Sequence, residues 1–319
     1  MPSAGVRPDI SVVIPTKDRE SRLAFALDAL AGQTIDPSRF EVIVVRASGQ
    51  PPQTSSPARL TCRFLTLEGS IGAGAQRNLG WRAARAPLVA FTDDDCRPAP
   101  DWLECILAAA KRQEGGVVQG RTEPDPDEAG LLRGLARSIS IQGTSPWFET
   151  CNITYPKHLL ECLGGFDGSF PGAWGEDTDL GLRAQDSGAV FSYAEDALVW
   201  HAVNARSPRA ALSEALARDT VAAVVARHPR QRKALYLRLF ARHAHGRLLL
   251  ALAGGIALRR RPLIATLFLI PYVSRYRNPN RGLLGVALGA TQLPLRAPID
   301  LIEVVAMARA SVRYRTLVL

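Results

Sequence analysis

Residues 10–45, ISVVIPTKDRESRLAFALDALAGQTIDPSRFEVIVV, decide the fold class. The two ends of this stretch, Ile10–Ile14 and Glu41–Val45, are short and β-branched and are bounded by turn residues, which is typical of buried parallel strands. Between them, Arg19–Ala31 carries apolar residues at helical spacing and stops at Gly32. The stretch therefore predicts a strand-helix-strand unit, the repeating element of an α/β domain.

The same alternation continues downstream as far as residue 203. It predicts further strands at Cys62–Leu67, Leu88–Phe91, Gly116–Gly120, Val190–Tyr193 and Ala197–Trp200, and helices near Ala75–Ala84, Asp101–Arg112 and Glu176–Gly188. Beyond Asn204 the strand pattern gives way to Ala, Leu and Arg at helical spacing, interrupted by prolines. We therefore predict a Rossmann-like, mostly parallel sheet flanked by helices, followed by a helical C-terminal extension.

Charge divides the chain in the same way. The 319 residues are 47% hydrophobic and 22% charged, which excludes a disordered or fibrous protein. Their net charge is +9, but residues 1–203 hold 19 basic and 26 acidic residues, whereas residues 204–319 hold 20 basic and 4 acidic residues. We predict an acidic catalytic domain over residues 1–203 and an Arg-rich helical region over residues 204–319.

The cysteine spacing and the apolar segments indicate where in the cell the protein is expected. The five cysteines form no Cys-x-x-Cys pair, and the N-terminus has no apolar leader, so we expect a cytoplasmic protein. The apolar runs Leu248–Leu258 and Pro262–Val273 are shorter than the roughly 20 residues of a spanning helix. They suit amphipathic helices on the anionic inner face of the plasma membrane, or helices packed on the first domain. Nucleic-acid binding is not expected, because this region is too apolar for a solvated basic arm.

Three consecutive carboxylates, Asp93, Asp94 and Asp95, follow the apolar strand Leu88–Phe91. Adjacent carboxylates that leave a buried strand repel one another, and a bound divalent cation compensates that repulsion. Oxygen ligands suit Mg²⁺ or Mn²⁺, which in turn bind phosphates. The alternative is an exposed acidic turn that caps the next helix.

Glu176, Asp177 and Asp179 open a predicted helix after a segment rich in glycine and aromatic residues. Acidic residues in a first helical turn also complement the helix dipole, but the preceding segment, Gly164–Trp174, is typical of a substrate-covering loop. One of these carboxylates could therefore act as a general base. His201, at the end of the strand Ala197–Trp200, is either structural or a further ligand of the acidic metal site.

Glycines at positions 72 and 74 precede a predicted helix that carries Arg77. Such a turn lets backbone N–H groups approach a phosphate, with which the arginine could pair. A tight turn with a solvated arginine is the alternative.

In this order, the motifs resemble those of family 2 glycosyltransferases, which have the GT-A fold. The matching segments are Ser11–Arg19 (SVVIPTKDR), Gln76–Gly80 (QRNLG), Phe91–Asp95 (FTDDD), Gly164–Asp167 (GGFD), Gly175–Arg183 (GEDTDLGLR) and Val199–His201 (VWH). The resemblance covers about residues 9–203. It implies a metal-dependent, inverting transfer of a sugar from a nucleotide-sugar to an acceptor hydroxyl, in cell-envelope or lipid-linked glycan synthesis.

The resemblance also implies roles for individual residues. Asp93 and Asp95 would hold Mn²⁺ or Mg²⁺ on the donor diphosphate, joined by His201, and Asp177 would be the general base, with Glu176 and Asp179 as substitutes. The nucleotide pocket would be lined by Pro15, Thr16, Asp18, Arg77, Asp93 and Asp94. In physical terms, a cation at this place neutralises the charge that gathers on the leaving diphosphate.

The sequence departs from the family pattern after the second strand. The family usually has an Asp pair there that helps hold the base, whereas this chain continues Val45-Arg46-Ala47. A donor other than a uridine sugar, or a base held by other atoms, is therefore an open alternative. Two alternative functions stay open. The chain could be a nucleotidyltransferase, or a catalytically silent relative that senses nucleotide-sugars or serves as a scaffold.

Overall fold

The computed structural model describes residues 7–47, 57–69, 72–113, 116–170, 174–216, 218–276 and 282–319. Its chain divides into two compact units. The first consists of residues 1–131 and 137–204, and the second of residues 132–136 and 205–319.

The first unit is a mixed α/β structure. Its described strands are β1 (Ile10–Thr16), β2 (Phe40–Arg46), β3 (Cys62–Thr66), β4 (Leu88–Phe91), β5 (Cys96–Pro98), β6 (Val117–Pro124), β7 (Ile153–Pro156) and β8 (Phe191–His201). Its described helices are α1 (Glu20–Ala31), α2 (Ala73–Ala83), α3 (Trp102–Arg112), α4 (Lys157–Leu163) and α5 (Glu176–Asp186).

These strands form one sheet in the order β3-β2-β1-β4-β7-β6-β8-β5. The pairs β1–β2, β2–β3, β1–β4 and β6–β8 are parallel, whereas β7 and β5 run antiparallel to their neighbours. The prediction of a mostly parallel sheet flanked by helices is therefore confirmed. Because β1, β4 and β8 run in the same direction, their carboxyl ends lie along one edge of the sheet.

Two details of the sheet differ from the prediction. The segments predicted as separate strands around Glu195–Asp196 form the single strand β8. The register with β6 shifts between Gly120 and Arg121, so that the exposed pair Glu195–Asp196 bulges from the strand without ending it. The short strand β5, which pairs Cys96 with His201, carries no periodic pattern and was not predicted.

The core of this unit lies between the sheet and helices α1 and α3. Leu23, Leu27 and Leu30 of α1 are fully buried, at the spacing that places them on one helical face. Trp102 of α3 is also fully buried, and its indole Nε1 donates a hydrogen bond to Asn152 Oδ1 at 2.9 Å. The core therefore fixes the strand ends from which the polar side chains emerge.

The second unit is helical over its described residues. Its helices are α6 (Pro208–Leu216), α7 (Thr220–Arg227), α8 (His243–Ala257), α9 (Pro262–Val273), α10 (Gly282–Ala290) and α11 (Leu293–Arg313). Within the part of the chain that is described, no helix combines the length and the apolarity needed to cross a membrane.

A buried polar network joins α8 to α11. Glu303 accepts a hydrogen bond from Arg242 at 2.8 Å and lies 3.0 Å from His245 Nε2 and 3.3 Å from Arg218 Nε. Burial would raise the pKa of this carboxyl, but His245 and the two arginines hold it well below its usual value. Asp300, one helical turn away, accepts from Tyr272 at 2.9 Å. The charges of this network are balanced internally, which is typical of a structural element.

Candidate active site

The sequence-predicted polar residues of the first unit meet at the carboxyl edge of the sheet. Thr16 ends β1, Asp93–Asp95 follow β4, and His201 ends β8. Gln76 of α2 fastens this edge, since its Nε2 donates to the carbonyl oxygens of Thr16 and Val45 at 2.8 Å each. Ligand sites of open α/β sheets lie at this edge.

Arg19 bridges two of the three consecutive carboxylates. Its guanidinium lies 2.5 Å from Asp94 Oδ1 and 2.7 Å from Asp95 Oδ2. Thr16 Oγ1 donates a hydrogen bond to the other Asp94 oxygen at 2.5 Å. Burial dominates the electrostatics of Asp94 and raises its pKa to about 7 despite these partners. The edge therefore concentrates more negative charge than Arg19 alone balances.

Asp95 faces His201 as well as Arg19. Its Oδ1 lies 3.7 Å from His201 Nε2, and its Oδ2 accepts from Asn204 Nδ2 at 3.2 Å. Burial would raise the pKa of Asp95, but the positive charges of His201, in its protonated form, and of Arg19 together lower it. Asp95 is therefore poised as an anion at the end of β8.

The His201 ring is oriented by the backbone. Its Nδ1 lies 2.9 Å from the Ala202 carbonyl oxygen, which can only accept, so Nδ1 carries a proton. In the neutral ring, Nε2 then presents a lone pair towards Asp95. A lone pair that faces a carboxylate oxygen fits a cation held between them, and a backbone partner on the other ring nitrogen is typical of metal-binding histidines.

The third carboxylate, that of Asp93, faces Arg77. Asp93 Oδ1 lies 2.8 Å from Arg77 Nη2, and Arg77 Nη1 lies 3.2 Å from Glu176 Oε1. Among the described residues, the atoms grouped closely enough to share a metal at this edge come from Asp95, Cys96 and His201. In the arrangement described, Asp93 is therefore engaged with Arg77 and is not grouped with Asp95 and His201.

Arg77 joins the strand edge to helix α5. The side chain is buried, and its guanidinium lies 5.8 Å from the centre of the Phe166 ring. The next residue, Asn78, receives a hydrogen bond from Phe166 N at 2.9 Å and donates one to Phe166 O at 2.8 Å. Gly165 has φ +75°, and a Cβ there would collide with Asn78 Oδ1. The QRN motif thus fastens the strand ends, the acidic residues and the Gly-Gly-Phe turn together.

Gly72 and Gly74 lie at the start of α2, where Gly74 has a packing role. A Cβ at Gly74 would come within 3.0 Å of Glu176 Cγ, so the glycine allows α2 to approach α5 closely. Gly72 is the N-terminal cap of α2.

Asp177 is partly buried at the start of α5, where its Oδ1 accepts from Thr178 N at 2.7 Å. Burial raises its pKa well above the usual value, and the neighbouring charge of Glu176 raises it further. Glu176 is more deeply buried and is engaged by Arg77. Burial raises the pKa of the Glu176 carboxyl as well, so solvent access is what separates the two residues, and Asp177 is the more accessible. A carboxylate with a raised pKa and access to solvent suits a general base.

Asp179 is engaged by a structural arginine. Arg183, one turn further along α5, contacts Asp179 Oδ2 through Nε at 2.7 Å. The same guanidinium donates to the carbonyl oxygens of Leu163 at 2.8 Å and Gly165 at 2.7 Å. Asp179 therefore orients the arginine that holds the Gly164–Gly165 turn against α5.

Asp179→Asn is expected to lower the free energy of unfolding by about 1–3 kcal/mol, the usual cost of weakening a largely buried, charge-assisted contact. Urea unfolding measures this effect. Asp186→Asn, at the exposed end of the same helix, is the matched control and should change stability little. Equal stabilities of the two variants would contradict the structural role of Asp179.

The remaining predicted pocket residues lie at or near the same edge. Pro15 is buried within β1, opposite Val45, and Asp18 is exposed with φ +54°. Arg46 ends β2 and is buried, with its guanidinium ion-paired to Glu20 and 6.0 Å from the Phe64 ring centre. The positive charge at this departure from the family pattern is therefore matched by a nearby carboxylate.

Residues 171–173 of the predicted substrate-covering segment lie outside the described residues, as do residues 48–56, which follow Ala47.

Sequence reasoning did not assign Arg19 and Asn204 to the site. Arg19 lies in the same strand-end loop as Thr16 and Asp18, so its position was a usable signal. Asn204 has no such signal, because only the pairing of β5 with β8 brings it to Asp95.

Much of the chain is similar to known proteins. Residues 11–166 match the family model described as Glycosyl transferase family 2. The chain is 29% identical over 246 residues to validoxylamine A glucosyltransferase of Streptomyces hygroscopicus subsp. limoneus, an alignment that covers 65% of this chain and 54% of that protein. The chain thus spans about half the length of this curated relative.

Two solved structures show the same fold. One is the mannosyltransferase PcManGT of Pyrobaculum calidifontis in complex with GDP-Man and Mn²⁺, with a TM-score of 0.58, 20% identity and coverage of 95% of this chain and 87% of that one. The other is S. aureus TarS 1–349 in complex with UDP, with a TM-score of 0.51, 19% identity and coverage of 68% and 65%. These likenesses confirm the predicted GT-A fold.

Proposed function

Because this chain belongs to glycosyltransferase family 2, we propose that it transfers a sugar from a nucleotide-sugar to an acceptor hydroxyl, with a divalent cation and with inversion at the anomeric carbon. The observation that carries this proposal is that the acidic side chains of the site fall into two separate groups. Asp94 and Asp95 lie beside Thr16 and His201, whereas Asp177 stands apart on α5 with a raised pKa. The reaction requires these two functions, a charge-neutralising site and a base.

Asp95 and His201 would be the principal ligands of the cation, and Asp93, which is paired with Arg77 here, would be a further ligand. The lone pair of His201 Nε2, directed at a buried carboxylate, supports this assignment. Bound Mn²⁺ or Mg²⁺ would supply charge neutralisation for the leaving diphosphate. Arg77, released from Asp93, is then available to pair with the same diphosphate.

Thr16, Asp18 and Arg77 are proposed to line the nucleotide pocket, together with Pro15, Asp93 and Asp94. The solved relatives are in complex with different nucleotides, UDP in TarS and GDP-Man in PcManGT, so they leave the donor base open. The Arg46–Glu20 pair at the end of β2 supports a base contact unlike the usual acidic one. The donor base therefore has to be identified by experiment.

In the proposed mechanism, Asp177 accepts the proton of the acceptor hydroxyl. The acceptor oxygen forms a bond to the anomeric carbon while the bond from that carbon to the diphosphate oxygen breaks. The products are the inverted glycoside and the nucleoside diphosphate. Glu176 is the less suitable base, because Arg77 engages one of its oxygens and its side chain is more deeply buried than that of Asp177.

We propose that the acceptor belongs to a cell-envelope or lipid-linked glycan. The apolar and basic second unit supports an acceptor presented at a lipid surface. The Streptomyces relative is named a validoxylamine A glucosyltransferase, and an acceptor that is not part of a cell-envelope or lipid-linked glycan is the competing possibility. Transfer assays with both acceptor classes distinguish them.

The proposed function is tested with a panel of nucleotide-sugars and Mn²⁺. Thermal stabilisation by one nucleoside diphosphate, and its release from the matching donor in the presence of acceptor, are the expected results. Stabilisation by nucleotide without sugar transfer to any acceptor would favour the silent relative. A protein that no nucleotide-sugar or nucleoside diphosphate stabilises would contradict the proposal.

Arg19→Ala is expected to tighten Mn²⁺ binding to the nucleotide-free protein by about tenfold. The guanidinium that bridges Asp94 and Asp95 competes with any cation, and removing a competing contact of about 1.4 kcal/mol changes affinity tenfold. Electron paramagnetic resonance of free Mn²⁺ measures the affinity. The matched control, Arg22→Ala, removes the same charge from α1, where Arg22 pairs with Glu128. Equal affinities in the two variants would contradict a cation site at Asp95.

A further inference from the structure

Helices α8 and α9 form a hairpin of unusual composition, joined by the turn at residues 258–261. Residues 248–273 are apolar or uncharged apart from Arg259, Arg260 and Arg261 in the turn. Residues 243–276 contain five arginines and no acidic residue. We refer to residues 243–273 as the α8–α9 hairpin.

The two helices of the hairpin pack closely on each other. A Cβ at Gly254 would collide with the Phe268 ring, so the glycine allows the helices to approach. Leu248, near the start of the hairpin, and Tyr272, near its end, are buried. These contacts leave most of the large apolar side chains in the middle of the hairpin to face outward.

The outward faces are strongly apolar. Leu263, Leu267 and Ile270 are 84%, 60% and 57% exposed, at the spacing of one helical face. Ile256 of α8 is 69% exposed. Further exposed apolar side chains on the hairpin are Leu250, Leu252, Ile264 and Leu269. Soluble monomers rarely expose continuous apolar patches of this kind, which mark interaction surfaces.

The charge of the α8–α9 hairpin indicates what kind of surface its apolar face contacts. An apolar face ending in three arginines, with no acidic residue along 243–276, is complementary to a surface that is both apolar and anionic. A second copy of the hairpin would bring arginines towards arginines, which like-charge repulsion disfavours. Anionic phospholipid offers acyl chains and phosphates together.

We propose that the α8–α9 hairpin docks the protein on an anionic lipid bilayer. The Leu and Ile side chains enter the boundary between headgroups and acyl chains, and Arg259–Arg261 contact lipid phosphates. At about 22 Å and 18 Å, the two helices are shorter than the roughly 30 Å hydrocarbon core, so they lie in the interface. The proposal goes beyond the sugar-transfer reaction, because docking needs neither donor nor cation.

Co-sedimentation of the full chain with vesicles tests the proposal. Vesicles of phosphatidylcholine with phosphatidylglycerol should carry the protein into the pellet at low salt, and vesicles of phosphatidylcholine alone should do so much less. Combined Arg259→Ser, Arg260→Ser and Arg261→Ser should weaken partitioning by roughly 100-fold, at about tenfold or less per arginine. Combined Leu263→Ser, Leu267→Ser and Ile270→Ser should abolish it.

The matched control removes three arginines from the end of the last helix and the segment after it. Arg309→Ser, Arg313→Ser and Arg315→Ser together take the same charge from exposed positions of the second unit and should leave vesicle binding near the parent value. Circular dichroism verifies that each variant folds.

Three outcomes would overturn the proposal. One is a parent protein that stays in the supernatant with anionic vesicles at low salt. Another is a control variant that loses binding as fully as the hairpin arginine variant. The third is a dimer, detected by light scattering, that the Leu and Ile variant dissociates, which would assign the hairpin to a second copy. None of these results depends on sugar transfer, so a failed donor panel and a failed vesicle assay are distinguishable.

Discussion

Asp177→Asn is expected to lower the rate of sugar transfer by about 10²–10⁴-fold, the usual contribution of a general base. The asparagine side chain retains the size and the Thr178 contact of Asp177 but cannot accept the acceptor's proton. Donor affinity, measured by calorimetry, should stay within about twofold, because the diphosphate contacts lie on other elements. Steady-state kinetics of nucleoside diphosphate release measures the rate.

The pH profile gives an independent reading of the same residue. Because burial and Glu176 raise the pKa of Asp177, the carboxyl is protonated over a wider acidic range and transfer should fall as the pH drops through that raised value. The Asp177→Asn variant should not show this fall in transfer rate at low pH. Asp186→Asn, on the exposed end of α5, is the control and should keep the parent rate and profile. Parent-like activity of Asp177→Asn, with loss in Glu176→Gln, would transfer the role to Glu176.

Asp95→Ala is expected to make nucleotide binding independent of Mn²⁺. The substitution removes the carboxylate that faces both His201 Nε2 and Arg19, so the proposed cation loses its central ligand. In the presence of Mn²⁺ we expect affinity for the nucleoside diphosphate to fall on the order of 100-fold, the loss of about 3 kcal/mol of neutralising interaction. Calorimetry with and without Mn²⁺ measures both affinities.

Asp127→Ala provides the control for that experiment. Asp127 pairs with Arg97 and its side chain is 81% exposed, so its loss removes a carboxylate without touching the cluster. Binding in this variant should keep its full dependence on Mn²⁺. If the parent binds nucleotide equally well without a cation, the assignment of Asp95 as a ligand fails.

The sheet edge was predictable because its signals are local. Apolar runs that end in polar residues identify β1 and β4, and the direction of parallel strands brings Thr16 and Asp93–Asp95 to one edge. Asp179 was predicted from the sequence as a substitute base, although its i,i+4 spacing from Arg183 also permits the ion pair that the structure shows.

The local sequence pattern did not predict which charged side chains pair with each other. Whether Asp93 turns towards Asp95 or towards Arg77 depends on how α2 packs against the sheet, and the pairing of Arg46 with Glu20 depends on where α1 begins. The bulge at Glu195–Asp196 resembles a turn in sequence, because an exposed polar pair interrupts the apolar alternation in both cases. Such choices are made by tertiary contacts between distant segments.

The charge distribution was readable without any structure. The excess of arginine after residue 204 separates an acidic region from a basic one. Only the helix packing reveals that the apolar side chains of the α8–α9 hairpin face outward beside the arginine turn.

Anomalous diffraction at the manganese edge, from crystals grown with Mn²⁺ and the stabilising nucleoside diphosphate, tests the central claim most directly. We expect a manganese peak between Asp95 and His201, with the diphosphate beside it and Arg77 turned from Asp93 towards the phosphates. A diphosphate at the sheet edge with no manganese there, or a manganese peak only at the His245, Asp300 and Glu303 network, would contradict it.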